Sequence, residues 1–349
     1  MPSYEDYTVA VICALEFEMT AVRFMLDEEH GELPNKYGDS NSYILGVLNG
    51  HRIALAWLPG TQGKGAAAVV ATNLNRTFPS IKWRFLVGIG GGVPHGEKHD
   101  IRLGDVVDPD ENGKGGFHRK GYLAQTPTLL RGAAGRMRSD HDAFGSQAEE
   151  IIATMLQRWP RLKTKYKRPA AETDILFEAD YPHQQNMPTC VDCDKLRAVP
   201  RLSRDSECPE IHYGLIASGD RVMRSAAKRA EELGRVGEDI LCFEMEAAGM
   251  MTEFSGLVIR GVSDYADSHK NDDWQRYAAA AAAACLKELL LRVQPEKPRQ
   301  DSASGRPSPL AIEPSSSQSH SVSTLSGQGV VNSGSGNFGV GRDLTFPNR

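Results

Sequence analysis

The chain has 349 residues, of which 40% are hydrophobic and 24% charged, as in an ordinary globular protein. Its net charge of −5 gives no general attraction to nucleic acid or anionic lipid, and no apolar run reaches the roughly 20 residues that a membrane span needs. Six cysteines do not make a disulfide framework in so long a chain, and the polar first residues do not form a signal peptide, so we expect a reducing, cytoplasmic setting.

Short apolar runs alternate with helical patterns up to residue 293, which predicts an α/β protein. A buried strand at 8–13 precedes a helix at 16–26, and strands at 43–48 and 52–58 flank Asn49-Gly50, a strong hairpin signal. Because a hairpin joins antiparallel strands, the sheet is expected to be mixed. The later predicted elements are a helix at 65–75, strands at 85–87, 103–107, 213–218 and 257–262, and a closing helix at 273–293.

The composition changes near residue 296, which divides the chain into a compact body at 1–295 and a tail at 296–349. The tail is rich in Ser, Gly, Pro and Asn and has too few large apolar residues to offset its ordering entropy, so we expect it to be disordered. Within it, 327–346 spaces Val and Phe among Gly, Ser and Asn. Two interpretations remain open: an amyloid-type motif that binds a signalling partner, or a flexible linker.

A glycine-rich segment, 88–93, follows the strand predicted at 85–87. Glycines at a strand end let backbone N–H groups approach a ligand closely, so Gly88, Ile89 and Gly90 are candidate substrate contacts. A dinucleotide fingerprint needs a further glycine and a helix where Val93-Pro94 stands, which disfavours that class of site. A tight turn without a ligand is the alternative.

Carboxylates occur at three places that the fold is expected to bring to one sheet edge. Glu16 and Glu18 point about 200° apart on a helix, so one should face solvent and the other the sheet edge. Glu244 and Glu246 open a predicted helix and should likewise point to different sides. Asp264 follows an apolar strand and reaches its carboxyl end, where α/β proteins place their chemistry. Helix-dipole complementation and turn capping are the alternatives for each acid taken alone.

Taken together, the motifs resemble the nucleoside phosphorylase/nucleosidase superfamily, and most closely its fungal branch often fused to immune-receptor-like ATPases. The resemblance covers about residues 7–293 and implies a phosphorylase/hydrolase-like fold: a three-layer α/β sandwich around a central mixed, twisted sheet. It also implies a homo-oligomer. The motifs that carry it are Val11-Ile12-Cys13-Ala14-Leu15-Glu16-x-Glu18, Gly88-Ile89-Gly90-Gly91-Gly92-Val93-Pro94, Ile216-Ala217-Ser218-Gly219-Asp220, Cys242-Phe243-Glu244-Met245-Glu246-Ala247 and Ser263-Asp264-Tyr265-Ala266-Asp267-Ser268.

The resemblance implies a role for each acid. Glu246 would hydrogen-bond the ribose hydroxyls, with Met245 packed beneath the sugar. Asp264 would give a proton to purine N7, help of a kind worth roughly 10²–10⁴-fold, and Glu18 would activate water. The other residues expected around the substrate line the base or flank the acids: Val222, Met223, Trp274, Phe243, Glu244 and Ser263.

Residues beside the glycines bear on the choice between hydrolysis and phosphorolysis. Phosphorolytic relatives hold phosphate with an Arg two residues before the first glycine and a Ser or Thr just after it, where this chain has Leu86 and Ile89. Each charge-assisted bond lost in this way is worth about 1.5–3 kcal/mol. Because Glu18 would also repel a phosphate dianion, we favour hydrolysis. A phosphorylase, or a catalytically idle nucleoside-sensing scaffold, is the alternative.

A purine is favoured as the base, because an acid at Asp264 is useful only opposite N7, and adenine-type bases fit the resemblance to nucleosidases. Some relatives in immune systems hydrolyse the glycosidic bond of adenine nucleotides, ATP included. A 5′-triphosphate needs cations near the sugar, and the candidates are Lys64, Arg119, Arg221 and Arg224. Solvated surface cations are the alternative interpretation of these four residues.

Two further features are given structural interpretations. Cys190-x-x-Cys193, with His183, Cys208 and His212, has a spacing that permits zinc, but a second tight pair is missing. A loop is therefore favoured, and we expect neither a metal nor another cofactor. The basic stretch 158–168 is interleaved with apolar residues and indicates an amphipathic helix end with a solvated face, not a nucleic-acid site.

Overall fold

The computed structural model describes residues 2–60, 62–96, 99–109, 125–184, 187, 189–204, 206–219, 221–236, 240–251 and 254–296. The tail beyond residue 296 lies outside these ranges, and with it the expected disorder and the 327–346 motif. Arg119 and Asp220 also lie outside them. No helix of the described ranges is both long and apolar enough to cross a bilayer.

Nine strands form one mixed sheet in the part of the chain that the structure describes. They are β1 Val9–Cys13, β2 Glu28–Glu29, β3 Tyr43–Leu48, β4 His51–Trp57, β5 Trp83–Gly92, β6 Val106–Pro109, β7 Ile211–Ser218, β8 Ile240–Glu244 and β9 Leu257–Asp264. Their order is β2-β3-β4-β1-β5-β8-β7-β6-β9, and β9 also pairs with β5, so the last five strands close into a ring. The β3–β4 hairpin turns through Asn49 and Gly50, both at positive φ, as the sequence predicts.

Helices cover both faces of the sheet, and each face has its own hydrophobic core. They are α1 Glu16–Phe24, α2 Lys64–Thr77, α3 Thr128–Phe144, α4 Ala148–Arg158, α5 Lys163–Tyr166, α6 Ala226–Val236, α7 Ala247–Met251 and α8 Gln275–Leu290. The alanine-rich α8 packs against β5, β9, α1, α3 and α4 over one core, whereas α2 and α7 pack together over the other. The expected three-layer α/β sandwich with a central mixed sheet is therefore confirmed.

The glycine-rich segment is part of a strand and not a turn, because β5 continues through residue 92. A Cβ atom at Gly90 would overlap the sulfur of Cys242, and one at Gly91 would lie 2.9 Å from Oδ1 of Asp264. The register of β5 against β9 shifts between Gly90 and Gly91. The glycines thus let β8 and β9 approach β5 closely, a function that glycine composition alone does not distinguish from a turn.

Strand β8 is absent from the elements expected from the sequence, and it changes the setting of the Glu244 and Glu246 pair. Glu244 is the last residue of β8, and Glu246 lies in the bend before α7. The expectation that both acids open a helix is therefore wrong. The apolar run that precedes them, Ile240-Leu241-Cys242-Phe243, is long enough to pair with β7 and β5, and this pairing takes Glu244 into the sheet.

The contact between β9 and α8 leaves no room for a side chain at Gly261, where a Cβ atom would overlap the backbone carbonyl of Ala278. Gly261→Ala should lower the free energy of unfolding by about 1–3 kcal/mol, as overpacking does in other cores. Gly132→Ala is the matched control, because nothing lies within 4 Å of its Cβ position in α3. The control should stabilise the protein by about 0.5–1 kcal/mol. Equal urea midpoints for Gly261→Ala and the unmodified chain would contradict this packing.

Candidate active site

A cavity of about 370 Å³ lies at the carboxyl ends of β1, β5 and β9, beside the end of β8. Glu18, Glu246 and Asp264 all line it, although they are far apart in the chain. Asp264 ends β9, Glu246 lies in the bend that follows β8, and Glu18 is in the first turn of α1. The other sequence-predicted residues that line this cavity are Ile89, Gly90, Arg221, Val222, Met223, Arg224, Phe243, Glu244, Met245 and Ser263.

Three residues proposed from the sequence do not line the cavity. Gly88 lies behind the Glu18 carboxylate, where a Cβ would come within 2.5 Å of Oε1. Lys64 begins α2 outside the cavity lining. Trp274 is 1% exposed, packs against Tyr277 and donates from Nε1 to Oγ1 of Thr173. It is therefore a core residue, and the expectation of an indole beside the base is not met.

Glu18 is held by three backbone donors at the end of the cavity nearest to β1. Its Oε2 accepts from the N–H groups of Ala14 and Leu15, each at 2.8 Å, and its Oε1 accepts from the N–H of Ile89 at 2.7 Å. The side chain is almost completely buried, whereas Glu16 faces solvent, as the helical spacing predicts. Burial raises the pKa of Glu18 to about 7, against the lowering effect of Arg260 and the N–H donors.

Arg260 joins the glutamates into one buried cluster. Its Nη2 lies 2.5 Å from Oε2 of Glu244 and 3.4 Å from Oε2 of Glu246. The two acids therefore converge on one cation and do not point to different sides, because they sit on a strand end and a bend. Glu244 also accepts the N–H of Ala247, which fixes the start of α7. Glu246 accepts the N–H of Gly63 at 3.3 Å, and desolvation raises its pKa.

Asp264 also lines the cavity, and its carboxylate accepts three donors. Its Oδ1 accepts the N–H of Ala266 at 3.0 Å, the turn cap that the sequence allows. Its Oδ2 lies 2.8 Å from Oγ of Ser263 and 2.6 Å from Nζ of Lys270. A purine nitrogen that reaches Asp264 would therefore compete with an ammonium and a hydroxyl for this oxygen.

The sequence analysis missed Arg260 and Lys270, and it missed several contacts around the cavity. A signal for Arg260 was present, since a cation within the apolar run Leu257-Val258-Ile259 must find buried partners. Lys270 follows Asp264 by six residues in an irregular segment, so no period places it. The remaining cavity-lining residues outside the predicted set are Ala14, Leu15, Phe17, Gln62, Gly91, Ala266, Asp272 and Gln275.

The cysteine and histidine cluster considered from the sequence divides in two. His183, Cys190 and Cys193 present ligand atoms that all lie within 4.8 Å of one another. Cys208 bonds Glu149 through its thiol, and Nε2 of His212 lies 2.9 Å from Asp105. The first three residues therefore form one group on the loop before β7, and Cys208 and His212 each contact a carboxylate elsewhere.

Comparisons with known proteins agree with this fold. The profile of the phosphorylase superfamily matches residues 8–292. A nucleotide-binding leucine-rich repeat (NLR)-like protein of Hyaloscypha variabilis is 38% identical over 310 residues, which cover 84% of this chain and 30% of that protein. The chain therefore spans about a third of that relative's length, and it belongs to the phosphorylase superfamily.

Two solved structures illustrate the likeness in fold. The 5′-methylthioadenosine/S-adenosylhomocysteine nucleosidase from Neisseria meningitidis, in complex with methylthio-immucillin-A, has a TM-score of 0.52 at 23% identity over 81% of this chain and 98% of that chain. Futalosine hydrolase of Helicobacter pylori has a TM-score of 0.51 at 17% identity over 82% of this chain and 99% of that chain. At these identities the likeness establishes the architecture.

Replacing Glu18 with Gln should remove a pH dependence of stability. The carboxyl has an ordinary pKa of 4.5 in the unfolded chain and a pKa of about 7 in the folded protein, so between these values the folded protein holds a proton that the unfolded chain has lost. The contribution of Glu18 to the free energy of unfolding should therefore be greatest below pH 4.5, fall as the pH rises, and level off above pH 7. The total change is on the order of 3 kcal/mol. Urea unfolding across this range, for both proteins, measures it.

Glu16→Gln is the matched control, since it changes an exposed carboxyl two residues away. It should keep the slope of the unmodified protein. The same slope in Glu18→Gln would assign the titration to another group.

Proposed function

We propose that the protein hydrolyses the N-glycosidic bond of purine nucleosides or nucleotides, with adenine as the preferred base. The observation that carries this proposal is the convergence of Glu18, Glu246 and Asp264 on one cavity. Membership of the phosphorylase superfamily supports the same class of reaction. A scaffold that only binds a nucleoside has no physical need for an acid, a base and a diol-binding carboxylate together.

Each acid has a separate task in the proposed reaction. Asp264 supplies a proton to purine N7, which makes the base a better leaving group. Glu246 accepts hydrogen bonds from the ribose hydroxyls while the sugar becomes oxocarbenium-like. Glu18 removes a proton from the water that attacks C1′. A base works best when its pKa lies near the working pH, and burial raises that of Glu18 to about 7.

Water is favoured over phosphate as the nucleophile by the surroundings of Ile89. A phosphate would need donors here, but the side chain of Ile89 offers none and its N–H already donates to Glu18 at 2.7 Å. A carboxylate at this position also repels a dianion. The backbone donor of Ile89 is therefore already used to hold Glu18, the proposed general base, and is not free for phosphate.

The substrate class is supported by two comparisons. The Neisseria meningitidis neighbour is a 5′-methylthioadenosine/S-adenosylhomocysteine nucleosidase, and its complex holds a methylthio-immucillin. We propose a defence role for the protein, ATP being one candidate substrate, because the Hyaloscypha variabilis relative is NLR-like. Arg221 and Arg224 line the cavity and are exposed, so they are placed to meet a 5′-phosphate group, and Lys270 adds a third cation.

A substrate panel tests the proposal directly. Adenosine, methylthioadenosine, inosine, AMP, ATP and uridine should each be incubated with and without phosphate, and free base and reducing sugar measured. Purine release with free ribose, unchanged by phosphate and absent with uridine, is expected. Strict dependence on phosphate would replace hydrolysis with phosphorolysis, and no release from any compound would favour a binding scaffold.

Asp264→Asn should lower kcat by about 10²–10⁴-fold, because it removes the proton donor and leaves the shape of the side chain unchanged. Asp273→Asn is the matched control, since Asp273 is exposed and does not line the cavity. Both variants should unfold at urea concentrations close to that of the unmodified protein. Full turnover in Asp264→Asn would assign the acid to another residue.

A further inference from the structure

The loop between α5 and β7 carries a group of metal-binding side chains that the proposed reaction does not use. His183, Cys190 and Cys193 each offer one ligand atom, and these atoms lie within 4.8 Å of one another. None of the three lines the cavity that holds the acids. We propose that this group binds one zinc ion, which fastens the loop to the segment that follows β9.

The local backbone has the form of a short ligand turn. The N–H of Cys193 donates to the carbonyl of Cys190 at 3.2 Å, so the two thiols sit on one tight turn. Cys193 is buried and Cys190 partly so, and neither forms a disulfide. Two thiolates and an imidazole bind zinc in preference to magnesium or calcium, which favour oxygen ligands. A water molecule would complete four-coordination.

A buried imidazole beside the group supports the assignment independently. The ring of His269 is 5.3 Å from that of His183 and nearly perpendicular to it. His269 is 8% exposed, and its Nε2 has no hydrogen-bond partner among the residues that the structure describes. Buried polar atoms rarely remain unpaired, so a polar partner such as a bound water molecule is expected next to this nitrogen.

The charge of the surroundings suits a cation. Asp267 lies close enough to interact electrostatically with both Cys190 and His183. Its carboxylate offsets part of the cost of placing a divalent ion in a partly buried site. Asp267 is also 3.9 Å from Nδ1 of His269. The second shell around the three ligands is thus acidic and imidazole-rich, as it is around many zinc sites.

The position of the group relates the ion to the candidate active site. The N–H of His183 donates to Oγ of Ser268 at 2.9 Å, a backbone bond that is compatible with zinc on the side chain. Two residues further along the chain is Lys270, whose ammonium reaches Asp264. Zinc would therefore hold Lys270 in place. This positioning role rests on the proposed function, whereas zinc binding does not.

Metal content and cobalt spectroscopy test the site. The full chain, purified without chelator, should contain about one zinc per molecule. Replacing zinc with Co²⁺ should give thiolate-to-cobalt charge-transfer absorption in the near ultraviolet and intense visible bands of tetrahedral cobalt. Chelation should lower the temperature of unfolding. The cobalt titration uses the unmodified chain, so it gives a result even if a ligand variant does not fold.

Variants identify the ligands. Cys190→Ser/Cys193→Ser and His183→Ala should lose the metal and the shift on chelation. Cys208→Ser is the control, because that thiol bonds Glu149 and lies outside the group, and it should keep the metal. Three results would each overturn the proposal. They are a zinc content below about a fifth of an ion per molecule after incubation with zinc, a cobalt spectrum without charge transfer, and a Cys190–Cys193 disulfide in the purified chain. None of these experiments measures turnover, so their results do not depend on whether the protein is a hydrolase.

Discussion

The site depends on one buried cation, the guanidinium of Arg260, which lies between the carboxylates of Glu244 and Glu246 and interacts electrostatically with Glu18. An unpaired charge at this depth would cost several kcal/mol, and so would three acids without a counter-charge. Gly88 makes the cluster possible, because any Cβ there would come 2.6 Å from Nη1 of Arg260. The buried position of Arg260 therefore requires a residue without a side chain at position 88.

The closed ring of strands explains how distant residues meet. β5 and β9 run parallel and share their carboxyl ends, while β8 joins the same end with the opposite direction relative to β5. Ile89, Glu244 and Asp264 are therefore delivered to one edge by three strands. Most of the helices do not place an acid in the cavity. The exception is α1, whose first turn supplies Glu18.

The sequence was sufficient where a local pattern determines the outcome. The hairpin at Asn49-Gly50 follows from short-range geometry, and so does the inward orientation of one residue of the Glu16 and Glu18 pair. The family resemblance indicated that this residue is Glu18. It failed where tertiary contacts decide: glycines next to a strand continue it when neighbouring strands need the space, and an aromatic such as Trp274 enters the core when a partner for its N–H is available. Spacing alone also did not decide whether His183 meets Cys190, because six residues lie between them in the chain.

The hydrogen bond from the N–H of Ile89 to Glu18 has a consequence for redesign. Introducing a cation at position 86 to capture inorganic phosphate would leave the backbone donor occupied and the acid still in place. Replacing the acid alone would leave the N–H groups of Ala14, Leu15 and Ile89 without their acceptor. Position 86, Ile89 and Glu18 would therefore have to change together before a phosphate is held here, which involves both β5 and α1.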